Sequence, residues 1–206
     1  ALSKKTISRG NADHGIPRPF DVSRDGFVLS EGACVMVIEE YEHALRRGVS
    51  CYGEIIGYGN TTDAFHMTKP SPEGEARAIA EALKEAGASP DEVDYANTHG
   101  TATLIGDIAE AQAMRMVFGK RTSEIPATAI KSMTGHMLAA SGALEVACTC
   151  MTMKEGIIPP TINLCEKDQR CALNIVIEKS AADIRMAISN SFGFGGVNAV
   201  ITLRKI

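Results

Sequence analysis

The order of its apolar runs constrains this chain more than any other feature. After Gly48, short apolar or β-branched runs alternate with helical stretches. The pattern predicts strands over 52–58, 93–97, 125–130, 174–177, 186–189 and 199–203, with helices over 73–86, 107–118 and 138–154. Helix 73–86 places Ala76, Ile79, Ala80, Leu83 and Ala86 on one face and closes at Gly87, as later helices close at Gly119 and Gly156. Strands alternating with helices of this length predict an α/β fold with a mostly parallel sheet covered by helices. In such sheets chemistry collects in the loops beyond the carboxyl ends of the strands.

Upstream, residues 1–25 carry the turn signals Arg9-Gly10-Asn11, Pro17, Pro19 and Asp25-Gly26 and predict loop. The run Ala33-Cys34-Val35-Met36-Val37-Ile38 predicts a buried strand, followed by a short helix over 41–47 that stops at Gly48. The pattern changes near Gly48, which divides the chain into 1–50 and 51–206. No internal repeat interrupts either part.

Composition narrows the function classes. The net charge is −4, Lys and Arg are scattered, Trp is absent and aromatics are only 5% of residues, which argues against a nucleic-acid surface. No segment approaches the ~18 consecutive apolar residues of a membrane span. Residues 1–11 are polar and basic without the apolar stretch of a secretory leader. Cys34, Cys51, Cys148, Cys150, Cys165 and Cys171 include no C-x-x-C pair, so reduced thiols in a cytosol-like compartment are expected rather than zinc or disulfides.

Three loops at strand ends carry residues suited to chemistry. Asn97-Thr98-His99-Gly100-Thr101-Ala102-Thr103 sets a histidine before a glycine, where backbone can approach a ligand, with two hydroxyls beyond it. Lys131-Ser132-Met133-Thr134-Gly135-His136 leads into the small-residue helix Ala139-Ala140-Ser141-Gly142-Ala143. A cation near His136 opposes imidazole protonation, and a neutral imidazole can donate a hydrogen bond to a developing oxyanion. Ser189-Asn190-Ser191-Phe192-Gly193-Phe194-Gly195-Gly196 spaces two aromatics with glycines and lacks the Gly-Lys-Ser/Thr ending of a phosphate loop. Taken singly, each segment also reads as a turn with a packed histidine or phenylalanine. His14, His43 and His66 are expected in a loop, on an exposed helix and in a surface loop.

Together, and in this order, the three loops resemble the β-ketoacyl-acyl carrier protein synthases, condensing enzymes of the thiolase superfamily, and most nearly the type II elongating synthases of fatty acid synthesis. Arg24-Asp25-Gly26-Phe27-Val28 and Pro159-Pro160-Thr161-Ile162-Asn163 fit as well. The resemblance implies a thiolase-like fold, with this chain as one half of an αβαβα layered architecture and 1–50 as the tail of the other half. It implies that His99 and His136 stabilise the enolate formed when a malonyl thioester loses CO2, and that Lys131 organises the site. Phe194 would be a gate whose backbone N–H joins an oxyanion hole. Thr101 and Thr103 would hold the phosphopantetheine arm of an acyl carrier protein, with Phe192, Gly193 and Gly195 lining its path. No cofactor is required, although some relatives hold a monovalent cation near the equivalents of Asn97, Glu145, Ser189 and Asn190.

Two departures stand out. Leu104 replaces the proline usual after the second threonine of the first loop. None of the six cysteines lies in a motif like that of the family nucleophile, so the cysteine is expected on an N-terminal half that associates tightly with this chain, in a homodimer-type assembly. A cytoplasmic enzyme is implied, or one of the stroma or matrix in a eukaryote. Two alternatives differ in kind. One is a non-catalytic partner like the chain-length subunits of polyketide systems, against which the histidine pair argues. The other is a metal-dependent hydrolase using His99, His136 and Asp107, for which the spacing gives no support.

Overall fold

The computed structural model describes residues 15–206, so Arg9-Gly10-Asn11 and His14 lie outside it. In chain order its elements are α1 (Tyr41–Arg47), β1 (Glu54–Thr62), α2 (Pro72–Glu85), β2 (Tyr95–Asn97), α3 (Gly106–Phe118), β3 (Pro126–Thr128), α4 (Lys131–Thr134), α5 (Ala139–Glu155), β4 (Ile157–Ile158), β5 (Asn174–Ile175), β6 (Ser180–Ala181), β7 (Met186–Gly193) and β8 (Val197–Arg204). No helix among the described residues is long and apolar enough to cross a membrane.

Six strands form one mixed sheet in the order β1-β8-β7-β2-β3-β5, and β4 pairs with β6 apart from it. The pairings β7–β2, β2–β3 and β3–β5 are parallel, while β1–β8 and β8–β7 are antiparallel. The parallel part matches the alternation of strand and helix. In the antiparallel part, β7–β8 is a hairpin, which needs no crossover helix, and β1 joins the far edge of β8 from a distant part of the chain.

Register fixes what each face of the sheet buries. Tyr95, Ala187 and Leu203 stand in one row, and they pack against Val146 and Met153 of α5. The neighbouring residues Ala96 and Ile188 point the other way and meet Ile79 of α2 and Met114 of α3. Fully burying side chains of this size contributes roughly 1.5–3 kcal/mol each. On β1, Gly57 and Gly59 let α2 lie directly on the strand: a Cβ there would come within 2.1 Å of the Ala82 carbonyl oxygen and 1.9 Å of that of Ala78. The buried residues of α2 are Gly74, Glu75, Ala76, Ala78, Ile79, Ala82 and Leu83; of those expected inside, Ala80 is exposed and Ala86 only half-buried.

The expected buried strand over 33–38 is not formed. Val35 and Val37 are 92% and 91% exposed, while Met36 turns inward against the α5 core. The alternation of a strand is present, but among the described residues no strand pairs with it, and without a ladder its backbone has no sheet to join. Helix α1 forms as expected. Glu40 caps it by accepting from the Glu42 and His43 N–H groups, and Gly48 closes it at φ 65°.

Candidate active site

The three loops meet at one cavity of about 670 Å³, lined among others by Phe27, His99, Thr101, Thr103, His136, Phe192 and Phe194. His99 follows the carboxyl end of β2, and α3 holds its backbone. Glu110 accepts from the His99 N–H (2.7 Å), the Gly100 N–H (2.9 Å) and the Asn190 side-chain amide (3.0 Å). Gly100 is required at this turn. Its φ is +39°, and a Cβ would stand 2.6 Å from that of Ala129. Asp107, one helical turn before Glu110, accepts from the Ala102 N–H at 3.1 Å and the Phe20 N–H at 2.7 Å. Arg24, fully buried, reaches Asp168 at 2.8 Å and the Thr103 and Leu104 carbonyls at 3.2 and 3.1 Å. The Arg24–Phe27 segment thus fixes the threonine loop from outside.

His136 comes from the other side. Its loop is a single helical turn, α4, rather than open coil, braced by Asn163, whose amide donates to the Ser132 carbonyl at 3.2 Å. The rings of His99 and His136 lie edge to face with centroids 5.6 Å apart. Phe27 packs on His136 at 5.3 Å and Phe192 on His99 at 5.9 Å, so the pair sits in an aromatic setting.

Hydrogen bonding sets the tautomers. Lys131 is 2% exposed and spends its three donors on the His99 carbonyl (2.7 Å), His99 Nδ1 (3.3 Å) and Glu145 Oε1. A lysine can only donate, so His99 Nδ1 accepts and its proton is on Nε2. His136 Nδ1 accepts from the Leu138 N–H at 3.2 Å, which places its proton on Nε2 as well, with the Ser141 hydroxyl at 3.1 Å. Burial first, then the Lys131 charge, holds His99 well below the ordinary imidazole range and brings His136 down to about 4. Both rings are neutral at pH 7, and each keeps an Nε2–H as its remaining donor. Lys131 acts by contact with His99, which its place in sequence beside His136 did not suggest.

The glycine segment differs from a loop beginning after Ser189. Strand β7 runs on to Gly193, and only Phe194–Gly196 form the turn before β8. Phe192 is buried, and Phe194 is 47% exposed at the cavity wall, 6.3 Å from Phe27. The turn is tied to the 63–67 loop, since Gly195 N–H donates to the Met67 carbonyl and Asp63 N–H to that of Gly196, both at 2.8 Å. Thr101 and Thr103, whose hydroxyls stand 3.1 Å apart, also line the cavity. His66 is exposed, as expected, and also lines the cavity. His43 is exposed on α1 and paired with Glu39.

Asn97 and Ser189 face α5, with the amide of Asn97 3.3 Å from the Ser189 hydroxyl; Glu145, on α5, pairs with Lys131. Asn190, one residue on, faces α3 instead. Among the described residues no three His, Cys, Asp or Glu side chains group as a metal site. None of the six cysteines lines the cavity, and burial pushes the thiols of Cys148 and Cys150 up.

Sequence reasoning did not single out Phe27 as a wall residue, nor Glu75, Glu110 and Ser141. A signal existed for the two acids: Glu75 stands at helical spacing with Ile79 and Ala82, and Glu110 with Met114, which marks charges on buried faces.

Residues 52–165 match the family described as Beta-ketoacyl synthase, C-terminal domain, a span that includes both histidines and Lys131 but not Phe194. A 3-oxoacyl-[acyl-carrier-protein] synthase 2 of Synechocystis sp. is 47% identical over 91% of this chain and 46% of its own length. A β-ketoacyl synthase crystal structure from Burkholderia phymatum superposes with a TM-score of 0.90 at 40% identity, covering 98% of this chain and 50% of that one. The AntDE:AntF structure, a type II PKS acyl-carrier protein in complex with its ketosynthase bound to the hexaketide, gives a TM-score of 0.95 at 36% identity over 98% of this chain and 51% of that chain. The chain spans about half the length of the curated relatives it matches.

Proposed function

The chain belongs to the β-ketoacyl synthase family, and from that membership we propose that it forms the two-histidine half of a β-ketoacyl-acyl carrier protein synthase. The reaction is the decarboxylative Claisen condensation of a malonyl thioester on acyl carrier protein with an acyl thioester, in fatty acid elongation. The observation that carries this reading is the pair of neutral imidazoles, 5.6 Å apart on one cavity, with both Nδ1 atoms engaged.

The bond from the malonyl α-carbon to its carboxylate breaks and CO2 leaves. The electron pair moves into an enolate whose oxygen accepts from the Nε2–H of His99 and His136. Donors already in place, in a site walled by Phe27 and Phe192, stabilise that charge without reorganising. The α-carbon then attacks an acyl thioester carbonyl, the carbon–sulfur bond breaks, and the thiolate leaves with the pair. The acyl group sits on a cysteine of an N-terminal half, since no cysteine of this chain lines the cavity. Phe194 gates the entrance, and its backbone N–H joins the oxyanion hole for the acyl thioester. Thr101 and Thr103 hydrogen-bond the phosphopantetheine arm along Phe192, Gly193 and Gly195.

The donor set on the α5 face fits a monovalent cation. Asn97 Oδ1, in the side chain beside the Ser189 hydroxyl, and Glu145 Oε2 are buried oxygens without hydrogen-bond partners. Asn190 Oδ1 also lacks a partner, but its side chain faces α3. A cation held by Asn97, Glu145 and Ser189 would supply positive charge to that buried group of oxygens.

The test is His99→Ala in the enzyme assembled with its N-terminal half, reading CO2 release from malonyl-acyl carrier protein. A loss of about 100-fold or more is expected, the scale of removing one oxyanion donor, with assembly unchanged. Undiminished CO2 release would rule the reading out. The likeness to a polyketide ketosynthase favours a second use of the same chemistry, in polyketide rather than fatty acid synthesis. Comparing saturated with poly-β-keto acyl donors separates the two.

A further inference from the structure

Two side chains on one face of α5 reach the histidines. Ser141 and Glu145 stand four residues apart, so they project from the same side of the helix, and both are buried. Glu145 acts at one remove: it pairs with Lys131, which donates to the His99 carbonyl and Nδ1. Ser141 acts directly. Its Oγ accepts from the Met137 N–H at 2.9 Å and lies 3.1 Å from His136 Nδ1. A serine hydroxyl has one hydrogen to give. Nδ1 is an acceptor, because the Leu138 N–H donates to it at 3.2 Å, so the Ser141 hydrogen points at Nδ1. The helix that carries Ser141 is itself set close on the sheet: a Cβ on the adjacent Gly142 would stand 3.2 Å from the Ser191 Oγ of β7.

Resting on the reading of the His136 Nε2–H as a donor to the enolate, we propose that Ser141 is a positioning residue whose hydroxyl ties the His136 ring to α5. One helix face then sets both imidazoles, His136 through Ser141 and His99 through Glu145 and Lys131. The 5.6 Å between the rings becomes a property of α5 rather than of two independent loops. The two donors on Nδ1 divide the work. The Leu138 N–H is enough to choose the tautomer, but it comes from the exposed residue that turns the chain into the helix, at φ 53°. Ser141, buried within the first turns of α5, fixes where the ring points. Donors stabilise a developing charge best when they are aimed before it forms, and a small loss of aim lowers the rate steeply.

The test compares Ser141→Ala and Ser141→Thr in the enzyme assembled with its N-terminal half. It reads CO2 release from malonyl-acyl carrier protein and, by NMR of isotope-labelled enzyme, the imidazole nitrogen resonances. Ser141→Ala is expected to lower kcat about tenfold, the worth of one hydrogen bond, with KM little changed. The His136 Nδ1 signal should move toward that of a nitrogen accepting fewer hydrogen bonds, while its Nε2–H and both His99 nitrogens keep theirs. Ser141→Thr, which keeps the hydroxyl, should recover most of the rate and the wild-type signal. A kcat that stays at the wild-type value overturns the assignment, and a raised KM beside it would make Ser141 a substrate contact instead. A lost rate with His136 Nδ1 unmoved, or with the His99 signals moved as far, is what a merely loosened pocket gives, and overturns it as well. So does a Thr variant that melts with wild type yet behaves as Ala. Wild type that releases no CO2 defeats the functional reading, and the His136 Nδ1 signal then decides the tie to Ser141 by itself.

Discussion

At the scale of single residues, the site keeps two histidines uncharged. Lys131 contributes twice: it fixes the His99 tautomer by donating to Nδ1, and its charge opposes protonation of both rings. The folded His136 titrates near 4, whereas an unfolded histidine titrates near 6.5. Between these values the folded protein binds fewer protons than the unfolded chain, so stability rises with pH across that window. The contribution is complete above about 6.5 and is lost as pH falls toward 4. The acid limb of decarboxylation should follow the same group, with activity level at neutral pH and falling through about 4. Replacing Lys131→Met together with Glu145→Gln, so that no buried charge is stranded, should move that limb toward neutrality. A pH–rate profile of the pair of variants checks it; a limb that stays in place would mean that burial alone sets the histidines.

Among the elements, α3 is the scaffold of the first loop. Its buried face presents Asp107 and Glu110 where an ordinary amphipathic helix presents apolar residues, and both acids hold backbone N–H groups of the loop after β2. Glu110→Gln keeps the shape but turns an amide N–H toward a donor. That should cost about 1–3 kcal/mol for the group left unsatisfied and loosen the loop. Hydrogen exchange should show the His99 and Gly100 amides losing protection while β7 and β8 keep theirs. The helices and strands here were legible because their periods and glycine caps agree with the fold: α1, α2, α3 and α5 each end within a few residues of their expected ends. Two features were not. The β7–β8 turn is shorter than the glycine-rich sequence suggests, since Ser189–Gly193 pair with Val197–Ile201 and Gly193 still serves a strand, leaving only Gly195 and Gly196 to the turn. The role of Glu110 depends on which donors the tertiary fold brings over it, and the sequence shows only a charge on a buried face.

Across the whole molecule, the sheet is covered unequally. Helices α2 and α3 close one face, but α5 covers only part of the other, where Ile55, Tyr58 and Val197 remain exposed. Beside α5 the 33–38 segment alternates as a strand does over 33–37, with Val35 and Val37 turned outward, and Ile38 is exposed as well. Exposed apolar surface of this extent marks an association face. The sequence predicted a strand there and predicted a partner half; no strand forms over 33–38 in this chain alone, and on the reading above the partner's sheet would complete it. Native mass spectrometry should find the chain bound one to one with an N-terminal half, and self-associated when that half is withheld. Val35→Lys with Val37→Lys should reverse the balance. The chain alone would become more soluble, since the charges stand in water, yet the pair would no longer assemble, because docking would bury two lysines without partners. Catalysis would be lost with assembly although His99 and His136 are untouched. A variant that assembles normally would show that 33–38 is not the strand the other half completes, and the partner would then have to dock on the open face of β1 and β8.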